Sequence, residues 1–572
     1  MQSAKGRFLR PNTPDKRALL LWLLPAAFLL FFFYQPLLAI FRLIFSAQFR
    51  SGWDGITLQK VLQPLGFTVY QAALSTLFTL ALGLPSAYVF SHYNFPGKKI
   101  LRLLVSLPFI LPTVVVAAGF NALLGPRGWI NLGLMALLNL EEGPIRFLNS
   151  FPAIIIAHVF YNTTIIIRIV GAAWSGLNER FLQAAAMLGA KPARAFREVT
   201  LPLLSPAIAA AALLVFLFDF TSFGVILMLG GPKFATLEVS IYTQAFHLFN
   251  LPMAGLLSLI QLICTLGISI AHNRLSTHKS SALSPRSESA NLRKPKTWQE
   301  KAFISILLLV LFTLVLAPLL GLGLRSVFKL EAARGERGQV EAGLTLDYYR
   351  ELFENRQGSL FYVPPITAIR NSLFYSSLTV LITLVLGTLV AYALNQVSKM
   401  NRWIDPLFML PLGASAATLG LGFIVVFNTP TWTNPAFPIL IPIAHSLIAL
   451  PFVVRTLAPA IRNIPQSLRQ AAHMLGASPL QVLREVDLPI LRRSLLVSAV
   501  FAFTISLGEF GASSFISTPD NPTIPVAIYR YISQPGALNY GQALAMSTLL
   551  LIVCSLGIWL IEKLRLPGEE VF

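Results

Sequence analysis

Apolar residues run in blocks of about twenty or more along the whole chain, separated by short polar segments. A helix needs about 20 apolar residues to cross roughly 30 Å of hydrocarbon. The blocks therefore predict about twelve membrane spans, near residues 18–45, 67–92, 103–124, 151–173, 205–230, 255–272, 303–324, 371–396, 406–427, 438–460, 494–516 and 542–561. The first follows a basic stretch (Lys5, Arg7, Arg10, Lys16, Arg17) and is too long for the core of a signal peptide, so it reads as an uncleaved anchor. Pro108, Pro112 and Pro411 are expected to bend the third and ninth spans.

A repeat divides this pattern in two. Gln183-Ala184-Ala185, Gly189, Val199, Leu201 and Pro202 return as Gln470-Ala471-Ala472, Gly476, Val486, Leu488 and Pro489, all at an offset of 287. The same offset relates His158 to His445, Arg168 to Arg455, Phe223-Gly224 to Phe510-Gly511, Thr236 to Thr523 and Ile241-Tyr242 to Ile528-Tyr529. Upstream, Pro108 and Gly119-Phe120 match Pro411 and Gly422-Phe423 at offset 303. Each copy holds about six spans, an even number, so both enter the membrane from the same side and are parallel rather than inverted. The predicted organisation is an N-terminal segment 1–17, a first half 18–273 with its core at about 63–273, a polar linker 274–301, and a second half 302–572 with its core at about 367–562.

Composition agrees with a bilayer as the solvent. Only 12% of the 572 residues are charged and mean hydropathy is +0.68; a soluble chain carries about 25% charged residues, which excludes an ordinary cytosolic enzyme. The formal charge of +20 would suggest nucleic acid on a soluble protein. Placing both termini and alternate loops in the cytoplasm puts +17 inside and +2 outside, so the basicity is mostly positive-inside bias and implies no nucleic-acid partner. Cys264 and Cys554 both lie in apolar runs and supply neither a disulfide framework nor a metal site.

Both QAA segments fall on inside loops between the fourth and fifth spans of their halves. Alanines favour a helix with a small face, Gly189 and Gly476 can adopt the positive φ that ends it, and the Leu-Pro pairs begin the next segment. Such a helix, held at the membrane face, is suited to dock in a groove of another protein. In these residues the chain resembles the permease subunits of type I ABC importers, whose signature is EAA-x3-G-x9-I-x-LP. Both copies here have Gln for the leading Glu and Val for Ile. The resemblance covers nearly the whole chain. It implies the type I importer transmembrane-domain fold, with Gln183, Ala184, Ala185, Gly189, Val199, Leu201, Pro202 and their counterparts 287 residues on forming coupling helices that seat on ATPase subunits. No G-x4-GK[ST] phosphate loop occurs in the sequence. ATP-Mg would then be bound by two copies of a separate cytoplasmic ABC ATPase, with no cofactor in this chain. The resemblance also implies an extracytoplasmic solute-binding protein and a bacterial cytoplasmic (inner) membrane location.

Ionisable groups inside spans are costly, about 2.5–3.5 kcal/mol on insertion scales, and mark functional candidates. Asp219 and Glu509 lie just before the repeated Phe223-Gly224 and Phe510-Gly511. With those residues they are candidates to line a pathway for a cationic solute; the bland alternative is a carboxylate satisfied by its neighbours. Arg168 and Arg455 are expected to snorkel or cap carbonyls, and His158 and His445 to be satisfied packing residues. The outside stretches LGGPKFATLEVSIY and STPDNPTIPVAIYR resemble the segment after the fifth span in thiamine and ferric-iron permeases; contact with a binding protein and simple ordered loops are equally expected. The resemblance is to fused two-half permeases of thiamine and iron(III) importers, which puts thiamine first, then iron(III), then polyamine, sulfate or molybdate. A twelve-span secondary transporter is the rival from another class, and the paired docking loops argue against it. No nucleophile elbow or metal-ligand cluster supports a membrane enzyme.

Overall fold

The computed structural model describes residues 16–45, 58–277, 292–329, 343–354, 365–396, 407–408, 410–411, 413–427, 439–534 and 536–564. The centre of the expected linker, nearly all of the 1–17 segment, the end of the 562–572 segment and the 428–437 loop lie outside them. Among the described residues, ten helices are long and apolar enough to cross a membrane: Leu21–Phe45, Leu58–His92, Phe151–Ser175, Pro192–Phe220, Leu251–Leu275, Trp298–Ser326, Pro365–Leu394, Leu440–Arg462, Pro479–Gly508 and Leu538–Leu564.

The third and ninth predicted spans are broken rather than bent. In the first half, helix Lys98–Ser106 ends before Pro108, and helix Thr113–Leu124 begins only after Pro112, whose φ of −58° and ψ of 139° are extended. Proline lacks the N–H that a continuous helix needs, and it disfavours a helical residue before it. The freed Pro112 carbonyl accepts the Tyr161 hydroxyl at 3.2 Å. In the second half the corresponding helix is Ala416–Phe427, opened by Ser415 Oγ, which accepts the Thr418 N–H at 3.0 Å. Irregular backbone at membrane depth is tolerated only inside protein; accordingly Leu107, Pro108, Leu111 and Pro112 are buried. The fifth and eleventh spans begin and end earlier than predicted. They stop at Phe220 and Gly508, and the chain turns before Phe223-Gly224 and at Glu509-Phe510.

The predicted register is reproduced. Glu179–Met187 recurs as Gln466–Met474 and Leu237–Phe246 as Ile524–Ser533, each at offset 287. The last pair corrects the reading of 231–254 and 517–541 as outside loops. Both fold inward as buried helices, with Leu237, Ile241 and Ile528 fully enclosed. Polar and proline residues at their starts had hidden two short apolar helices. A small antiparallel ribbon, Phe328–Lys329 with Gly343–Leu344, is the described exception to an all-helical chain.

Each half lends its first helix to the other. Trp22, Leu29 and Phe33 pack with Leu386, Phe408, Phe423 and Phe427 of the second half. Helix Trp298–Ser326 of the second half lies on Thr113–Leu124 of the first, where Trp129 Nε1 donates to the Gly321 carbonyl at 3.2 Å. The repeated glycines make these crossings possible. A Cβ on Gly119 would lie 2.9 Å from the Pro318 carbonyl oxygen, and one on Gly422 would lie 2.8 Å from Pro36 Cβ.

Candidate functional site

The two QAA loops have the same shape. Helix Glu179–Met187 is capped by the Asn178 side chain, which accepts the Arg180 N–H at 3.1 Å. It closes with Gly189 at φ +81° and with the Ala190 N–H donated to the Ala185 carbonyl at 3.0 Å. In the second half Gly476 has φ +82°, and the Ala477 N–H reaches the Ala472 carbonyl at 3.0 Å. Nothing lies within 4 Å of a Cβ built on either glycine, so backbone conformation and not space selects the residue. Val199 and Val486 lie in a wide π-helical turn within the following helices, Pro192–Phe220 and Pro479–Gly508, and Leu201-Pro202 and Leu488-Pro489 resume the α-helical winding.

At the tips stand two apolar pairs that sequence reading passed over: Met187-Leu188 and Met474-Leu475, each residue 88–89% exposed. Four long apolar side chains left uncovered at equivalent places are the mark of surfaces that another protein buries. The loops are pinned differently. In the second half Arg469 makes a bidentate pair with Asp487, at 2.8 and 3.0 Å, and Tyr392 donates its hydroxyl to Asp487 at 2.8 Å. Hydrogen bonding to that carboxylate raises the Arg469 pKa above its ordinary value. The first half has Leu182 and Thr200 at those places and instead stacks Phe196 on Trp174, with centroids 6.2 Å apart.

Between the halves lies an aromatic seam. Phe223 and Phe510 stack at 5.6 Å with planes 21° apart; Tyr242 meets Phe223 at 5.5 Å and Tyr529 meets Phe510 at 5.4 Å. Phe515 and Phe246 pack against Tyr242. Gly224 and Gly511 are required here by close approach: a Cβ would strike Thr113 or Ala416, the first residues of the two broken-span helices.

Asp219 and Glu509 do not themselves reach this seam; both are buried within their own halves. Asp219 accepts Asn162 Nδ2 at 2.7 Å and lies 3.4 Å from His158 Nδ1. Glu509 accepts the N–H groups of Ala512 and Ser513 at 2.8 and 2.9 Å, capping helix Gly511–Ile516, and lies 3.2 Å from His445 Nε2. Arg168 does more than snorkel. It reaches Glu562 on the last helix of the other half at 3.3 Å and donates to Ser106 Oγ at 3.0 Å. Another buried acid, Glu238, gives no sequence signal, because the polar and proline residues before its helix imitate a loop. It receives Gln261 Nε2 at 3.0 Å and lies beside Ser415 and the Ala417 N–H of the second half. No cluster of metal-ligating side chains occurs among the described residues.

A family profile described as "Binding-protein-dependent transport system inner membrane component" matches residues 79–275 and 383–564, one segment per half. Relatives named "Thiamine transport system permease protein ThiP" include one from Escherichia coli (strain K12), 27% identical over 96% of this chain and 97% of its own, and one from Haemophilus influenzae, 26% identical over 93% of each. A "Probable ABC transporter permease protein y4fN" from Sinorhizobium fredii is 27% identical over 86% of this chain and 85% of its own. Among solved structures, a bacterial ABC transporter involved in the import of alginate matches with a TM-score of 0.40 and 20% identity, over 46% of this chain and 97% of that one. The chain belongs to the binding-protein-dependent transport system inner membrane components, as the multi-pass permease subunit of an ABC importer that works with a solute-binding protein and an ATPase.

Proposed function

We propose that the chain forms the translocation pathway for thiamine. The observation that carries this reading is the aromatic seam at the centre of the two halves. Facing phenyl and phenol rings suit a flat heteroaromatic cation, through stacking and cation–π attraction. They offer little to a hydrated metal ion, which wants oxygen or imidazole ligands. The printed names of several relatives point the same way.

In this reading both termini are cytoplasmic and the Met187-Leu188 and Met474-Leu475 tips sit in grooves on two copies of the ATPase, which binds ATP-Mg. Phe223-Gly224 and Phe510-Gly511 close the pathway, with Asp219 and Glu509 behind them. The test is uptake into proteoliposomes holding the chain with its ATPase, supplied with its binding protein. ATP-dependent accumulation of labelled thiamine, unaffected by excess iron(III), is expected. Accumulation of iron(III) without thiamine would favour the metal reading, and uptake driven by an ion gradient without the ATPase would mark a secondary transporter.

A further inference from the structure

The register of 287 that pairs His158 with His445 also pairs Asp219 with Ser506 and Ser222 with Glu509. Each half thus has one acid and one serine at the same two places, in opposite order. The contacts follow the exchange. In the first half His158 Nδ1 faces the Asp219 carboxylate at 3.4 Å and Nε2 meets Ser222 Oγ at 2.9 Å. In the second half His445 Nδ1 meets Ser506 Oγ at 2.8 Å and Nε2 faces the Glu509 carboxylate at 3.2 Å. Each imidazole has a hydroxyl at both nitrogens, Ser75 and Ser222 in the first half and Ser506 and Ser513 in the second, and the carboxylate beside it lies on the Nδ1 side in one half and on the Nε2 side in the other. A hydroxyl from the second helix of each half completes the Nδ1 side: Ser75 Oγ lies 2.9 Å from His158 Nδ1, and Thr379 Oγ1 accepts from Ser506 Oγ at 3.2 Å.

We propose that the two sites are interchangeable latches that position the aromatic seam, with Asp219 and Glu509 as positioning residues rather than solute ligands. The placement gives the reason. Helix Pro192–Phe220 runs unbroken from the first QAA loop to Asp219, and Pro479–Gly508 runs from the second to the residue before Glu509. Phe223 follows Asp219 by four residues and Phe510 follows Glu509 by one. The histidines sit on the neighbouring helices Phe151–Ser175 and Leu440–Arg462. A latch at this point fixes where each phenyl ring lies while the far end of its helix is displaced by a docked partner. Removing one member of a buried hydrogen-bonded set leaves the others unsatisfied, which frees the ring. The reversed order shows which property matters: one carboxylate per imidazole, on either side.

The inference rests on the permease reading, and a readout independent of solute keeps the two apart. In the full chain with Cys264 and Cys554 replaced by alanine, F223C/F510C is treated in membranes with a short bifunctional thiol reagent. D219S is expected to lower the cross-link yield about fivefold. D219S/S222E, which copies the order of the second half, is expected to restore it. With the phenylalanines and cysteines intact, ATP-driven uptake of thiamine should fall about tenfold in D219S and return within about twofold in D219S/S222E. A double exchange that inserts at the wild-type level yet stays as low as D219S in both readouts overturns the proposal. So does a D219S chain that behaves as wild type. If the wild-type chain fails to take up thiamine while the cross-link pattern holds, the solute reading falls and the latch stands.

Discussion

Glycine plays two different physical roles in the repeated residues of this permease. At Gly189 and Gly476 the backbone turns to φ +81° and +82° with open space around each position, whereas at Gly119 and Gly422 the other half's crossing helix leaves no room for a Cβ. Gly189→Val with Gly476→Val should therefore strain the loop by roughly 1–2 kcal/mol each without disturbing insertion. Binding of the ATPase to purified permease is expected to fall, while Gly→Asn at the same places, which tolerates the left-handed region, keeps most of it; equal binding by both pairs of variants would refute the conformational role. The repeat made all four glycines visible in the sequence. It could not say which needed a torsion and which needed a contact, because a close approach depends on a helix some 200 residues away in one case and nearly 390 in the other.

Spans of ordinary length were legible as apolar blocks, and so was the register that relates the two QAA loops. The broken third and ninth spans were read as whole because apolar residues continue across Pro108 and Pro112, and hydropathy does not register a missing N–H. The buried Leu237–Phe246 and Ile524–Ser533 helices were lost for the opposite reason, their polar and proline flanks imitating loops. The unequal pinning of the two docking loops gives a test at this scale. Asp487→Asn removes the charge that holds Arg469, so amide exchange in Gln466–Met474 should rise about tenfold at low salt. Glu179–Met187, which has Leu182 where the second loop has Arg469, should not change. Equal change in both loops would show that the ion pair is not the anchor.

Taken whole, the molecule is two copies of one unit clasped by exchanged first helices and by Arg168 reaching Glu562 across the boundary. Duplication was plain in the sequence; the exchange was not, since it places residues near 22–33 against residues near 386–427 without any local signal. The same symmetry sets two apolar tips at equivalent places, and the central claim is that each seats on its own ATPase. The direct measurement is cross-linking of M187C and M474C, made separately and together in the complete importer, to cysteines lining the ATPase groove. Each single variant should capture one ATPase and the double variant two, with yields that change when ATP is bound. Capture at neither position, or at the opposite face of the membrane, would contradict it.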